Sequence, residues 1–145
     1  MITTRFLIAA SAAALAVIAT VAVAQSASVM TTAAPGLWEL SGVPGARTTL
    51  RECVADVTAL AQYEHRGRSC PAKVLSDSGK VAVVYYTCPG SDFGRTSLKI
   101  VTPRNLKVDT QGISDGLPFA YASEARRVGE CKVPGAAAGG SERGH

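Results

Sequence analysis

Four cysteines, Cys53, Cys70, Cys88 and Cys131, constrain this chain more than any other feature. Their positions leave separations of 17, 18 and 43 residues. No C-x-x-C pair occurs and no histidine cluster accompanies them, which argues against the competing zinc reading. An even number of thiols in an exported chain reads instead as a disulfide framework. Whether the chain is exported is therefore the first question.

Residues 1–24 have the features of a secretory signal. Arg5 is the only charged residue before Glu39, and Phe6 to Ala24 is an apolar run rich in Ala, Val, Ile and Leu. Ala22-Val23-Ala24 is a small-x-small triplet suited to cleavage, followed by Gln25. The alternative is an uncleaved N-terminal anchor, since the run approaches the ~20 residues that span a bilayer. Its many alanines make it weakly hydrophobic for a permanent span. Cleavage after Ala24 leaves all four cysteines in the exported part, with no transmembrane span, in the periplasm or outside the cell.

The chain of 145 residues, 47% hydrophobic and 18% charged, has room for one small domain. Residues 25–34 are small and polar and read as a flexible lead-in. The domain spans residues 35–131, and the Gly- and Ala-rich residues 132–145 read as a disordered tail. Leu37–Ser41 and Thr48–Cys53 read as strands around a Gly42–Gly45 turn. Val57, Leu60, Ala61 and Glu64 recur with helical spacing between Asp56, as N-cap, and Gly67, as stop, giving one short helix over Asp56–Arg66. Strands follow at Ala72–Asp77, Val81–Cys88, Ser97–Thr102, Leu106–Gln111 and Phe119–Val128. Loops separate them, among them Pro89 to about Gly94 and Gly112–Gly116. The expected fold is mainly β: a single antiparallel meander, closed as a small barrel or folded as a sandwich, with one short helix and disulfide staples.

The hairpin register bears on cysteine pairing. A three-residue loop around Gly79 sets Asp77 opposite Val81 and Cys70 opposite Cys88. Ala72 then faces Tyr86 and Val74 faces Val84, an apolar face throughout. A two-residue loop pairing Asp77 with Lys80 puts Cys88 on the other face and forbids the bridge. The first register favours Cys70–Cys88 with Cys53–Cys131. Cys53–Cys70 with Cys88–Cys131 remains open.

A series of residues resembles a known family. Pro35-Gly36-Leu37-Trp38-Glu39 follows the leader and spacer; then come Arg51-Glu52-Cys53, a short helix, Ser69-Cys70, Tyr86-Thr87-Cys88 and Val128-Gly129-Glu130-Cys131. The series is similar to the exported bacterial family named domain of unknown function 3617, over about residues 35–131. It departs from that family in lacking Met- and Gly-rich middle strands and in carrying Gly112 to Phe119. The resemblance implies an exported β domain, and it brings no activity and no catalytic residues.

The sequence gives little footing for chemistry. Its histidines are His65 and His145. His65 falls in a charged helix end, where a cation suits the dipole, and reads as a solvated helix-terminal side chain. Asp92, Asp109, Asp115, Glu124 and Glu130 are the carboxylates a glycosidase could draw on, but Asp92 and Asp115 sit in Gly-rich loops, where turn formation is the usual role. Gly90-Ser91-Asp92-Phe93-Gly94 does not fit a nucleophile elbow. No phosphate-binding, dinucleotide, zinc-protease or EF-hand motif occurs. No cofactor, metal or nucleic-acid partner is expected: the basic residues are spread and lack interleaved stacking aromatics. The net charge of +4, one unit of it from Arg5, offers only weak attraction to anionic envelope surfaces.

The expected role is a non-enzymatic envelope or secreted structural or interaction module. The competing role is a carrier of a small apolar ligand, with Trp38, Tyr85, Tyr86, Phe119 and Tyr121 lining a barrel lumen. Against it, a domain this small needs its aromatics for its core.

Overall fold

The computed structural model describes residues 26–132. The expected signal at 1–24 and the tail beyond Lys132 lie outside the described residues. The fold is mainly β. Seven strands form one antiparallel sheet in the order β2-β1-β7-β6-β5-β4-β3. They are β1 (Gly36–Ser41), β2 (Leu50–Val54), β3 (Ala72–Asp77), β4 (Val81–Thr87), β5 (Phe93–Thr102), β6 (Asn105–Ser114) and β7 (Leu117–Gly129). Strands β3 to β7 form a meander, and the β1–β2 hairpin adds to β7. The sheet does not close on itself. Neither the barrel nor the sandwich forms: β2 and β3 are the two edges of the sheet, and among the described residues no second sheet faces the first.

The two disulfides are Cys53–Cys131 and Cys70–Cys88, the pairing that the hairpin register favours. Each ties down one edge strand. Cys53 lies in β2 and is joined to the segment after β7, while Cys70 precedes β3 and is joined to the end of β4. The turn itself differs from the three-residue loop expected. Ala72↔Tyr86 and Val74↔Val84 pair as expected, but the register slips at Leu75, and Asp77 lies opposite Ala82. A bulge therefore absorbs one residue. The turn closes through the Ser78 N–H donating to the Val81 carbonyl at 3.0 Å. Ala72 and Val74 are also exposed, because β3 overhangs the core as an edge strand.

Alternation assigns the two faces. Trp38, Leu40, Ala82, Val84, Leu98, Leu106, Val108 and Ala125 are buried on one face. Two short helices cover it: α1 (Val29–Thr32), packed on β4 and β5, and α2 (Thr58–Ala61), packed on β5 and β6. A 3-10 turn over Tyr63–His65 follows α2, so the single helix expected over Asp56–Arg66 is broken at Gln62. Its N-terminal signal was real: the Asp56 carboxylate accepts the Thr58 N–H at 2.8 Å. Thr58's hydroxyl, its leading partner, and that N–H hold the Asp56 carboxyl below the usual range. Val57, Leu60 and Ala61 are buried as the spacing requires.

Residues 26–33 are not the loose lead-in expected. Val29 and Ala33 are buried in the core. Asp77, at the end of β3, accepts hydrogen bonds from Val29 N (2.9 Å), Met30 N (3.3 Å) and Gly79 N (2.9 Å). A carboxylate from another element thus caps α1.

The two expected loops are shorter than expected: Pro89–Asp92 stays a loop, while most of Gly112–Gly116 is strand. β5 starts at Phe93, and β6 runs through Gly112 to Ser114. Gly94 and Gly112 are paired neighbours inside the sheet. Their lack of side chains makes room: a Cβ on Gly94 would collide with the Tyr86 ring. Between β6 and β7 only Asp115-Gly116 remains as a turn, with φ of 51° and 76°. Both values are left-handed, as the commonest two-residue hairpin turn requires.

Candidate functional site

The candidate ligand-lining aromatics are divided between the two faces. Trp38 is buried in the core, and its Nε1–H donates to the Ala34 carbonyl at 3.1 Å. Tyr85 lies on the uncovered face beside Phe93, with ring centroids 6.1 Å apart. Tyr86, Phe119 and Tyr121 gather on the covered face around a residue that the sequence reading placed in solvent, His65. The open sheet provides no lumen for them to line.

His65 is only 3% exposed. Its ring meets Tyr86 at 5.4 Å and Phe119 at 5.7 Å, both edge-on. His65 Nε2 lies 3.1 Å from the Ile113 carbonyl, and Nδ1 lies 2.9 Å from the Tyr86 hydroxyl. A carbonyl can only accept, so Nε2 carries a proton. In the neutral ring Nδ1 then accepts from Tyr86. Burial, with Glu64 adding to it, pushes the Tyr86 phenol up to about 12. Burial likewise raises Tyr121, helped by Glu64. The Tyr121 hydroxyl is buried with no hydrogen-bond partner among the described residues.

Asp92 lies beside this cluster, 3.9 Å from His65 Nε2. Its closer partners are Arg68 Nη1 at 2.6 Å and the N–H groups of Asp115 (3.2 Å) and Gly116 (3.5 Å). Arg68, chiefly, and the Asp115 N–H hold its carboxyl below the usual carboxylate range. One side chain thus joins the segment after the 3-10 turn, the β4–β5 loop and the β6–β7 turn. The other candidate carboxylates are dispersed. Asp115 forms the turn, Asp109 faces Ala122, Glu124 faces Lys107, and Glu130 pairs with Arg127. Among the described residues no three His, Cys, Asp or Glu side chains gather as a metal site needs, and all four cysteines are oxidised. A cleft of about 140 Å³ borders His65 and Arg68, below the roughly 300 Å³ of ordinary ligand pockets. Tyr86 is fully buried, so the cluster acts as an internal lock between loops.

The opposite face is bare. Its cross-strand rows are Val83–Ser97–Asp109–Ala122 and Tyr85–Arg95–Gln111–Ala120. Small residues, Ser97 and Ala120, leave a shallow trough of about 540 Å³ there, bordered by Arg95, Asp109 and Gln111. The burial of His65 was missed in the sequence. Its signal was present: His65 lies four residues beyond buried Ala61, on the same helical stripe.

No protein-family model, no curated protein and no solved structure matches this chain. The two disulfides mark a non-cytoplasmic, oxidising compartment. No helix among the described residues is long and apolar enough to cross a membrane.

Proposed function

We propose that this chain is an exported envelope or secreted module, cleaved after Ala24, that works through surface interaction rather than catalysis. The observation that carries the reading is the uncovered, polar face of a sheet whose two edges are held by disulfides. The covered face holds the core and the His65 lock, while the bare face offers a broad, rigid and solvated surface. Rigid strands hold an interaction surface better than loops do, since little ordering is left to cost affinity on binding. Membership in the exported four-cysteine family named above belongs to the same proposal.

The test combines location with contact. Protein from the exported fraction, weighed without reductant, should begin at Gln25 and lack the four protons removed by two disulfides. A photo-crosslinking residue at Ser97 or Ala120, on the bare face, should capture envelope material in greater yield than one at exposed Ala59 on the helical side. A reduced, full-length cytoplasmic chain, or equal yields from both faces, would sink the proposal. A small apolar molecule retained in the mass spectrum would replace it with the carrier reading.

A further inference from the structure

The basic residues look scattered in the sequence, but the fold collects four of them at one end of the sheet. Lys80 sits in the β3–β4 turn, Lys99 in β5, Arg104 in the β5–β6 turn and Lys107 in β6. All four are exposed, and none has an ion-pair partner among the described residues. The Lys80 carbonyl accepts the Ile100 N–H at 2.8 Å, and the Arg104 carbonyl accepts the Arg127 N–H at 2.8 Å. These bonds fix both turns beside the end of β5. Lys99 stands directly opposite Lys107, a like-charge pair that works against strand pairing. Glu124 is opposite Lys107 on the other side but lies beyond ion-pair distance.

Two further features mark this end. Val101, 55% exposed, projects between Lys99 and Arg104 in the chain. A shallow groove of about 530 Å³ runs alongside, bordered by Arg104, Arg126 and Arg127 with Thr102, Asn105 and Val128. Arg126 and Arg127 are paired with Glu39 and Glu130, while Arg104 has no ion-pair partner among the described residues. The chain also joins the domain here, because the Ala27 carbonyl packs so closely on Gly79 that a Cβ there would collide with it. Ala27, near the start of the described residues, therefore packs beside Lys80.

We propose that this end of the sheet, Lys80, Lys99, Arg104 and Lys107 around Val101, docks on an anionic phospholipid bilayer surface. The chemistry is complementary: clustered cations facing lipid phosphates, with one exposed aliphatic side chain for the interfacial layer. Each Lys or Arg held close to such a surface raises partitioning about fivefold. The inference rests on the export reading only in requiring that the domain meet a membrane.

Sedimentation of the oxidised mature chain with vesicles tests it. The chain should bind vesicles containing phosphatidylglycerol, leave pure phosphatidylcholine vesicles unbound, and dissociate in high salt. Lys99→Glu with Arg104→Glu should weaken binding by about tenfold or more. Lys73→Glu with Arg95→Glu changes the net charge equally at a distance from this end and should weaken it by less than about threefold. Melting curves verify folding of both doubles, and Lys99→Ala with Arg104→Ala serves if the glutamate pair does not fold. Equal binding to neutral vesicles, equal losses in both doubles, or no binding to anionic vesicles would overturn the proposal. A correctly exported chain that ignores lipid would remove this docking surface and leave the export reading standing.

Discussion

Asp92 and His65 hold together loops that are far apart in the chain. Asp92 binds Arg68 and the Asp115 and Gly116 N–H groups, so Asp92→Asn should lower the melting temperature. The pH dependence follows from its depressed pKa. A carboxyl that ionises more readily when folded stabilises the protein above its unfolded pKa, and this contribution is lost as pH falls through the folded value. Wild type should therefore lose stability more steeply than Asp92→Asn on acidification, read from melting temperature against pH. Tyr86→Phe removes the donor to His65 Nδ1 in a fully buried site and should cost about 1–3 kcal/mol in urea unfolding. An unchanged midpoint would show that the ring packing alone holds His65. Sequence reasoning put His65 in solvent because its neighbours Glu64, Arg66 and Arg68 are charged. What buries it is the approach of Tyr86, Ile113 and Phe119, which come from strands far along the chain.

At the scale of elements, the informative case is α1. Four residues of helix are too few to persist alone, and composition suggested a loose spacer. The segment is ordered because Val29 and Ala33 enter the core and Asp77 caps the turn. Burial would raise the Asp77 carboxyl, but the N–H groups of Val29, Gly79 and Met30 outweigh it and hold the pKa below its usual value. Asp77→Ala should cost about 1 kcal/mol, typical of a lost cap, and speed amide exchange at Val29 and Met30 ahead of the strands. Unchanged exchange there would mean that apolar packing alone holds α1. Below the usual carboxylate range this latch weakens in wild type as well, for the same sign reason as Asp92. Strand positions were largely legible from alternation and turn residues. The ends of β5 and β6 were not, since Gly94 and Gly112 read as loop until Tyr86 is seen filling the space at Gly94 and the Phe93 backbone that at Gly112.

For the whole molecule, the disulfides close loops of 18 and 78 residues. In the chain-entropy account, Cys70→Ser with Cys88→Ser should cost about 3 kcal/mol and Cys53→Ser with Cys131→Ser about 4.5 kcal/mol. Denaturant titration of the two variants should show the longer closure costing more, and the reverse order would indicate that local strain or residual unfolded structure dominates. By itself the sequence determined the β class, the meander, the short α2 turn and the favoured cysteine pairing. Those features rest on periods of two and 3.6 residues, on turn residues and on register, all local along the chain. Tertiary structure decided that the sheet stays open, that the aromatics divide between its faces, that His65 and Val29 are buried, and that four dispersed cations share one end. Each of these depends on which distant segments meet, and net charge and local pattern average that information away.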